Sequence, residues 1–482
     1  MSQPSPFLRR TKIVATIGPA SRPHDVLEAM IEAGVDVVRM NFSHGDAEQH
    51  IVTADLARQI ARNRGHTVGV MADLQGPKIR IGKFAQGKIQ LKRGQSFVLD
   101  AAAETGNEER VGLDYKDLPA QVGKGTVLSL DDGRIVLSVQ RVKGAEIFCK
   151  VLQGGTLSNN KGINRKDGGL SAPALTSKDK LDIRVAARMK ADYIAVSFVR
   201  SGDDMAYARE LIRDAGSKAL LIAKIERAEA ISVLDDILKE SDAIMVARGD
   251  LAAEMGDAVV PALQKRLIKA ARAKNKLVVT ATQMMESMVT NPIPTRAEVS
   301  DVANAVLDGT DAVMLSAETA VGAYPAEAVQ AMARVCLEAE KECEITPERR
   351  FMNEVFTRID QSIAMAALFT AYHVKAKAIG ALTQSGSTAF RMSRTNVGVP
   401  IYALSSVKET RRKVTLVSGV YPIRFTTRSH DREEVLRAAE EELLHRGAVS
   451  KGDLIVLTIG EMVGKAGQTN TMKIVRVGDG VA

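Results

Sequence analysis

The chain is 482 residues long, room for about three domains. Apolar residues make up 45% and charged residues 26%, which excludes a disordered, collagen-like or small disulfide-stapled protein. The net charge of +8 raises nucleic acid as a partner, but Trp is absent and aromatic residues reach only 4%, so stacking platforms are scarce and a small anion explains the excess as well. No apolar run approaches the roughly 18 residues of a membrane span. The opening MSQPSPFLRR lacks the apolar core of a secretory signal. Cys149, Cys336 and Cys343 lack metal-ligand spacing and suit a reducing cytoplasm.

The segment Lys12–Gly18 is apolar and β-branched and stops at Gly18-Pro19, so it reads as a strand. Helical spacing follows from Asp25 to Ala33. A second strand spans Asp36–Phe42, a helix Ile51–Asn63, and a third strand Val68–Leu74. The alternation then stops for about a hundred residues. Short alternating runs, Arg134–Val142 and Glu146–Leu152, lie between turns at Asp131-Asp132-Gly133 and Gly154-Gly155, the pattern of a small all-β domain.

The βα rhythm resumes with strands at Tyr193–Val199, from Leu221, Ala243–Gly249, Leu277–Gln283 and Ala312–Glu318. Eight strand candidates in roughly 250 residues fit a (β/α)8 barrel, with an open doubly wound sheet as the alternative. Glu342–Arg350 turns polar and irregular, and a second α/β set follows: Lys377–Thr383, Ile401–Ser405, Leu454–Gly460 and Met472–Val477. The expected division is a barrel of 1–75 and 173–345, a β-rich lid of 76–172 and a C-terminal α/β domain of 346–482.

Active sites of barrels sit at the C-terminal ends of the strands. Here those ends are polar. Arg39, Asn41 and Ser43 share one face, followed by His44-Gly45; Lys224 and Glu226, Arg248 and Asp250, and Ser316 and Glu318 are spaced to share others. Asp73 ends the third strand and Thr282 the seventh. Taken singly, Lys-x-Glu is commonly a solvated pair, Arg-Gly-Asp a turn and Ser-x-Glu a helix cap. Six polar ends on one rim are too many for that, because each buried polar group needs a partner. Arg39 and Lys224 suit a phosphoryl group and a carboxylate. Glu226 and Asp250 suit Mg²⁺ with waters and substrate oxygens. Gly249-Asp250 opens a helix whose N–H groups suit an anion. With no Walker A, dinucleotide fingerprint, HExxH or paired CxxC present, the residues point to a Mg²⁺-assisted enzyme acting on a small phosphorylated carboxylate.

At these residues the chain resembles the pyruvate kinases, nearly end to end. The blocks are Thr11–Ser21, Arg39–Gly45, Asp73–Arg80, Leu130–Ile135, Asn159–Asn164, Lys224–Glu226, Met245–Leu251, Thr280–Met288, Pro294–Ala320 and Thr469–Val475. The resemblance implies a barrel, a mobile β-lid after its third strand and a C-terminal α/β domain. It implies transfer of the phosphoryl group of phosphoenolpyruvate to ADP, giving pyruvate and ATP, by a cytoplasmic homotetramer that binds neither nucleic acid nor membrane.

Carried over, Lys224 stabilises the transferring group, Arg39 contacts it, and Glu226 and Asp250 hold Mg²⁺ or Mn²⁺. The N–H groups of Gly249 and Asp250, with Thr282, hold the substrate carboxylate. Arg80 and Lys161, with His44, address the nucleotide. Ser316 and Glu318 match positions proposed to relay a proton to the enolate. The loop Thr383-Gln384-Ser385-Gly386-Ser387-Thr388 resembles a sugar-phosphate effector site, for a sugar phosphate or nucleotide; a capped helix start is its structural alternative. In K⁺-dependent members Asn, Ser, Asp and a Thr carbonyl form a cation site near a Glu; the matching positions here are Asn41, Ser43, Asp73 and the Leu74 carbonyl, with Lys78 at the Glu position. Leu74 and Ile81 match the K⁺-independent form, and a Lys78 ammonium would repel a second cation by roughly 4 kcal/mol at about 4 Å and an effective dielectric of about 20. K⁺ is therefore expected not to be required.

The lid carries sixteen Lys/Arg against ten Asp/Glu, six of the eight net positive charges. It suits closure over ADP, or simply a solvated surface. Many pyruvate kinases have Asn-Leu-Pro-Gly where this chain has Asn164-Arg165-Lys166-Asp167, so the hinge geometry does not carry over. Two other functions fit less well: a phosphoenolpyruvate-dependent phosphotransferase relay, for which His44 is the one rim histidine, and a non-catalytic metabolite sensor or nucleic-acid binder, against which the intact set Arg39, Lys224, Glu226, Asp250 and Thr282 argues.

Overall fold

A computed structural model describes residues 8–131, 133–166, 168–343, 345, 355–460 and 467–479. Eight strands close into a barrel: Lys12–Thr16, Val37–Asn41, Gly69–Asp73, Tyr193–Val196, Leu220–Ile225, Ala243–Ala247, Leu277–Ala281 and Ala312–Leu315. All neighbours are parallel, and the eighth strand returns to the first, Lys12 opposite Ala312, which decides between barrel and open sheet.

Alternation along each strand builds two layers. Val38, Val70, Ile194, Leu221, Ile244, Val278 and Val313 pack outward against the helices. Val14, Met71, Tyr193, Ile222, Met245, Val279 and Met314 fill the interior. Two residues further along the inward positions, the interior turns polar: Thr16, Asp73, Lys224 and Ser316 follow Val14, Met71, Ile222 and Met314. The strand period therefore aims these side chains at one mouth.

The segment after the third strand forms β-structure with its own apolar core. Ile135–Lys143 pairs antiparallel with Glu146–Gln153 within a six-stranded sheet, and Lys88–Leu91 pairs with Gly155–Ser158. Asp131 and Gly133 have φ of 51° and 87°, the left-handed turn expected there; Asp132 lies outside the described residues.

The C-terminal unit is a five-stranded sheet in the order Val420–Arg424, Ile401–Ser405, Ala378–Leu382, Leu454–Gly460, Thr469–Arg476. Its first strand is absent from the sequence expectation. Val-Tyr-Pro-Ile-Arg reads poorly as a strand because Pro422 cannot donate, yet an edge tolerates proline. This unit seats on the barrel's N-terminal end. Tyr193 Oη donates to the carbonyls of Arg412 (3.0 Å) and Lys413 (2.9 Å), and Arg394 pairs with the fully buried Asp311 before the eighth strand. The opposite mouth carries the polar strand ends. The expected boundary at Glu342–Arg350 lies mostly outside the described residues.

Candidate active site

Four strands bring a charged network to the open mouth. Lys224 Nζ lies 2.9 Å from Glu226 Oε1 and 3.2 Å from Asp73 Oδ1. It also donates to Ser197 Oγ at 2.7 Å, and Ser197 Oγ donates to the Leu74 carbonyl at 2.7 Å. Arg39 Nε donates to Asp73 Oδ2 at 2.6 Å, and its Nη1 to Thr16 Oγ1 at 2.9 Å. Glu226 Oε2 accepts from the Phe198 N–H at 2.7 Å. Lys78 reaches in from beyond the third strand, its Nζ 3.0 Å from Asp250 Oδ1. Three cations thus balance three carboxylates.

Burial opposes ionisation of Asp73, but Arg39 and Lys224 outweigh it and hold its carboxyl below the usual range. Burial likewise disfavours the Lys224 ammonium, and Asp73 and Glu226 outweigh that and raise its pKa. Glu226 is pushed up by burial, pulled down by Lys224 and raised again by the Asp250 charge. A carboxyl depressed in the folded state gives stability above its unfolded pKa of about 3.9, lost as pH falls through the folded value. Asp73→Asn, which strands Arg39 and Lys224 without that charge, is expected to cost about 3–5 kcal/mol at pH 7. Urea unfolding of both proteins should show the gap persisting to about pH 4 and shrinking below it; a gap under about 1 kcal/mol at pH 7 would contradict this coupling.

Glu226 and Asp250 fit a divalent cation. They are two oxygen donors close enough that one charge raises the other's pKa, and both already have an ammonium against them. Among the described residues no cluster of three or more His, Cys, Asp or Glu forms a full protein cage, the arrangement in which Mg²⁺ keeps waters and substrate oxygens.

Two spacings are corrected. Arg248 and Asp250 do not share a strand face, because the sixth strand stops at Ala247 and a helix, Arg248–Met255, starts at once. Asp250 meets Lys78, whereas Arg248 donates to the Thr282 and Gln283 carbonyls (2.8 and 3.0 Å) and to Asp301 (2.8 Å). Thr282 and Gln283 have φ of 67° and 54°, unusual for non-glycine residues, and the guanidinium pins that strained turn. Thr282 Oγ1 accepts from the Gly249 N–H at 2.9 Å, so the hydroxyl already caps this helix start. Ser316 and Glu318 also leave the strand: Glu318 is fully buried and accepts from the N–H groups of Ser316 (2.7 Å) and Met285 (3.1 Å). Ser316 Oγ is buried and has no hydrogen-bond partner among the described residues.

The remaining positions are more dispersed. Asn41 Oδ1 accepts from the Ser43 N–H at 3.1 Å. His44 is exposed, and partial burial with the charges of Arg80 and Arg39 lowers its pKa. Arg80 Nη1 donates to the Asn160 carbonyl at 3.0 Å, and Lys161 Nζ pairs with Asp131 at 2.7 Å. Ile81 is buried in the β-rich unit, and Asp167 lies outside the described residues. In the C-terminal unit Thr383 Oγ1 accepts from Gly386 N–H (2.9 Å), Ser385 Oγ donates to Ser387 Oγ (3.0 Å) and Thr388 Oγ1 lies 2.9 Å from Thr469 Oγ1. A cavity of about 260 Å³ is lined by Thr383, Ser387 and Thr388 on one side and Ser429 and His430 on the other.

The sequence reading missed Ser197, Thr16 and the task of Arg248. Ser197 had a signal: a lone serine in the otherwise aliphatic and aromatic run Tyr-Ile-Ala-Val-Ser-Phe-Val.

Two family models cover most of the chain: the pyruvate kinase barrel domain over residues 8–329 and the pyruvate kinase alpha/beta domain over 361–475. The chain belongs to the pyruvate kinase family. Pyruvate kinase II of Salmonella typhimurium is 52% identical over 476 residues, covering 98% of this chain and 99% of that protein. The pyruvate kinase of Haemophilus influenzae is 52% identical over 472 residues (97% and 98%). That of Mycobacterium tuberculosis is 40% identical over 471 residues (98% and 99%). No helix among the described residues is long and apolar enough to cross a membrane.

Proposed function

We infer that this chain transfers the phosphoryl group of phosphoenolpyruvate to ADP, giving pyruvate and ATP, the last step of glycolysis. The observation that carries the reading is the convergence of Lys224, Arg39, Asp73, Glu226 and Asp250 on one barrel mouth, in a member of the pyruvate kinase family. In the reaction the bond between the enol oxygen and phosphorus breaks. A bond from phosphorus to a terminal ADP oxygen forms, and the enolate carbon takes a proton.

Phosphoryl transfer asks for positioning and positive charge on the equatorial oxygens. Arg39 and Lys224 supply it, pre-oriented by Asp73 and Ser197 so that little reorganises during the step. Glu226 and Asp250 hold Mg²⁺, which when bound neutralises phosphoryl charge. The substrate carboxylate lies against the helix start at Gly249 and Asp250, with Thr282 turning its hydroxyl from the Gly249 N–H to the ligand. Arg80, Lys161 and His44 face the nucleotide, Lys161 leaving Asp131 to do so. Glu318, held by two backbone donors, is a positioning residue; the unpartnered Ser316 hydroxyl is the group able to pass a proton.

The same reading takes residues 76–172 as a lid on a barrel of 1–75 and 173–345, with 346–482 as a regulatory unit, in a cytoplasmic homotetramer. Lys78, paired to Asp250, stands in for K⁺, so the Asn41, Ser43, Asp73 and Leu74 set needs no monovalent cation. The loop Thr383–Thr388 takes a sugar phosphate or nucleotide. A panel of sugar phosphates and AMP is then expected to include one that lowers the apparent KM for phosphoenolpyruvate, and Ser385→Ala with Ser387→Ala should abolish the effect; an unchanged saturation curve across the panel would contradict it.

The reading is tested against a phosphotransferase relay by incubating the protein with phosphoenolpyruvate alone. No phosphohistidine is expected, and ATP should form only once ADP is added. Stable phosphorylation of His44 would favour the relay instead.

A further inference from the structure

The turn between the second strand and the helix Ala47–Asn63 carries Ser43 and His44, and a buried histidine that the reaction above does not use lies against it. His50 sits in the first turn of that helix and is 6% exposed. The rest of the helix's buried face is Thr53, Ala54, Ala57, Ile60 and Ala61, so the imidazole is the one ring there. A buried polar ring needs a partner. Its Nε2 lies 2.9 Å from the His44 carbonyl oxygen. A carbonyl only accepts, so Nε2 carries the proton. Burial lowers the His50 pKa and the bond to the His44 carbonyl offsets only part of that, which keeps the ring neutral at pH 7.

The turn is fixed at several points. The Phe42 N–H donates to the Asp73 carbonyl at 2.9 Å, and Lys178 Nζ donates to the Phe42 carbonyl at 2.7 Å. The Phe42 ring stacks on His50 with centroids 4.6 Å apart and an interplanar angle of 18°, which sets the direction of the imidazole. The His44 N–H donates to the Asn41 carbonyl at 3.2 Å, while the His44 carbonyl takes the bond from His50. Gly45 follows with a φ of 79°, and a Cβ there would stand 3.3 Å from His50 Cε1, so the turn lies close on the ring. The His44 backbone is thereby held on both sides of its side chain, which is exposed and feels the charges of Arg80 and Arg39.

We propose that His50 is a positioning residue for the nucleotide: its Nε2–H fixes the His44 carbonyl and so aims the His44 side chain. The proposal rests on the reading that His44 faces the nucleotide. Packing alone would be met at lower cost by an apolar ring of similar size. The polar ring is accounted for by the carbonyl it holds. Without that bond the turn would sample more conformations, and ADP would have to order it on binding. Phosphoenolpyruvate, seated by Lys224, Arg39 and the helix start at Gly249, would not bear that cost.

The test is steady-state kinetics on the full-length protein, with each substrate varied in turn and melting temperatures measured alongside. His50→Phe keeps a ring against Phe42 and removes the donor. His50→Gln keeps an N–H donor near the reach of Nε2 and removes the ring. His50→Phe is expected to raise the KM for ADP by about tenfold, with kcat and the KM for phosphoenolpyruvate within about threefold of wild type. His50→Gln is expected to stay within about threefold of wild type for ADP, whatever its melting temperature. His44→Ala separates the proposal from the reading beneath it. If His44→Ala raises the KM for ADP and His50→Phe does not, or if His50→Phe raises both KM values alike, the positioning role is overturned and the reading stands. If His44→Ala leaves the KM for ADP unchanged, His44 is removed from the nucleotide and the proposal falls with it. The His50→Gln result stands alone if His50→Phe fails to fold: a KM for ADP raised about tenfold there would overturn the role of the donor.

Discussion

Lys224→Met is expected to lower kcat by about 10²–10³-fold while leaving the KM for phosphoenolpyruvate within about threefold. The ammonium stands among Asp73, Glu226 and Ser197 at the centre of the mouth, so it meets charge that develops during transfer more than charge already present on the bound substrate. Removing it also leaves two buried carboxylates with less compensation, which costs stability. Thermal unfolding of the variant separates the two effects: the loss of kcat should persist well below the lowered melting temperature. Retention of more than a tenth of the wild-type kcat would remove Lys224 from this role.

The second large effect concerns the monovalent cation. Wild type is expected to reach near-full activity with Mg²⁺ and no K⁺. Lys78 carries a permanent ammonium to Asp250, at 3.0 Å, and Asp73 is neutralised by Arg39 and Lys224. A free K⁺ would therefore meet repulsion rather than an unbalanced carboxylate. Lys78→Glu reverses this by setting a third carboxylate beside Asp250 and Glu226. Its activity without K⁺ should fall by about tenfold or more and respond to added KCl. Measuring kcat in tetramethylammonium buffer, with and without KCl, decides it; tenfold or greater activation of the wild type by K⁺ would contradict the substitution of charge.

The same residues show how far sequence carries. All eight barrel strands were legible as short apolar runs of Val, Ile, Ala and Met that alternate with helical stretches and stop at polar ends, and the strand period of two puts residues two apart on one face. The inward direction of Asp73 and Lys224 followed from that period. The period failed where a strand ended earlier than its apolar run implied: at Arg248 and at Ala317 the chain is already helical, so residues two apart diverge. Contacts between distant segments were not legible at all. Lys78 on Asp250 spans 172 positions and Arg248 on Asp301 spans 53, and neither spacing leaves a local pattern. The edge strand Val420–Arg424 was hidden by Pro422.

The account rests on one reaction at one mouth, and the stoichiometry of that reaction tests it most directly. With phosphoenolpyruvate, ADP and Mg²⁺, pyruvate and ATP should appear in equal amounts, and neither should form when ADP is left out. Pyruvate released without ADP, or no ATP from protein shown to be folded and to bind phosphoenolpyruvate, would contradict it.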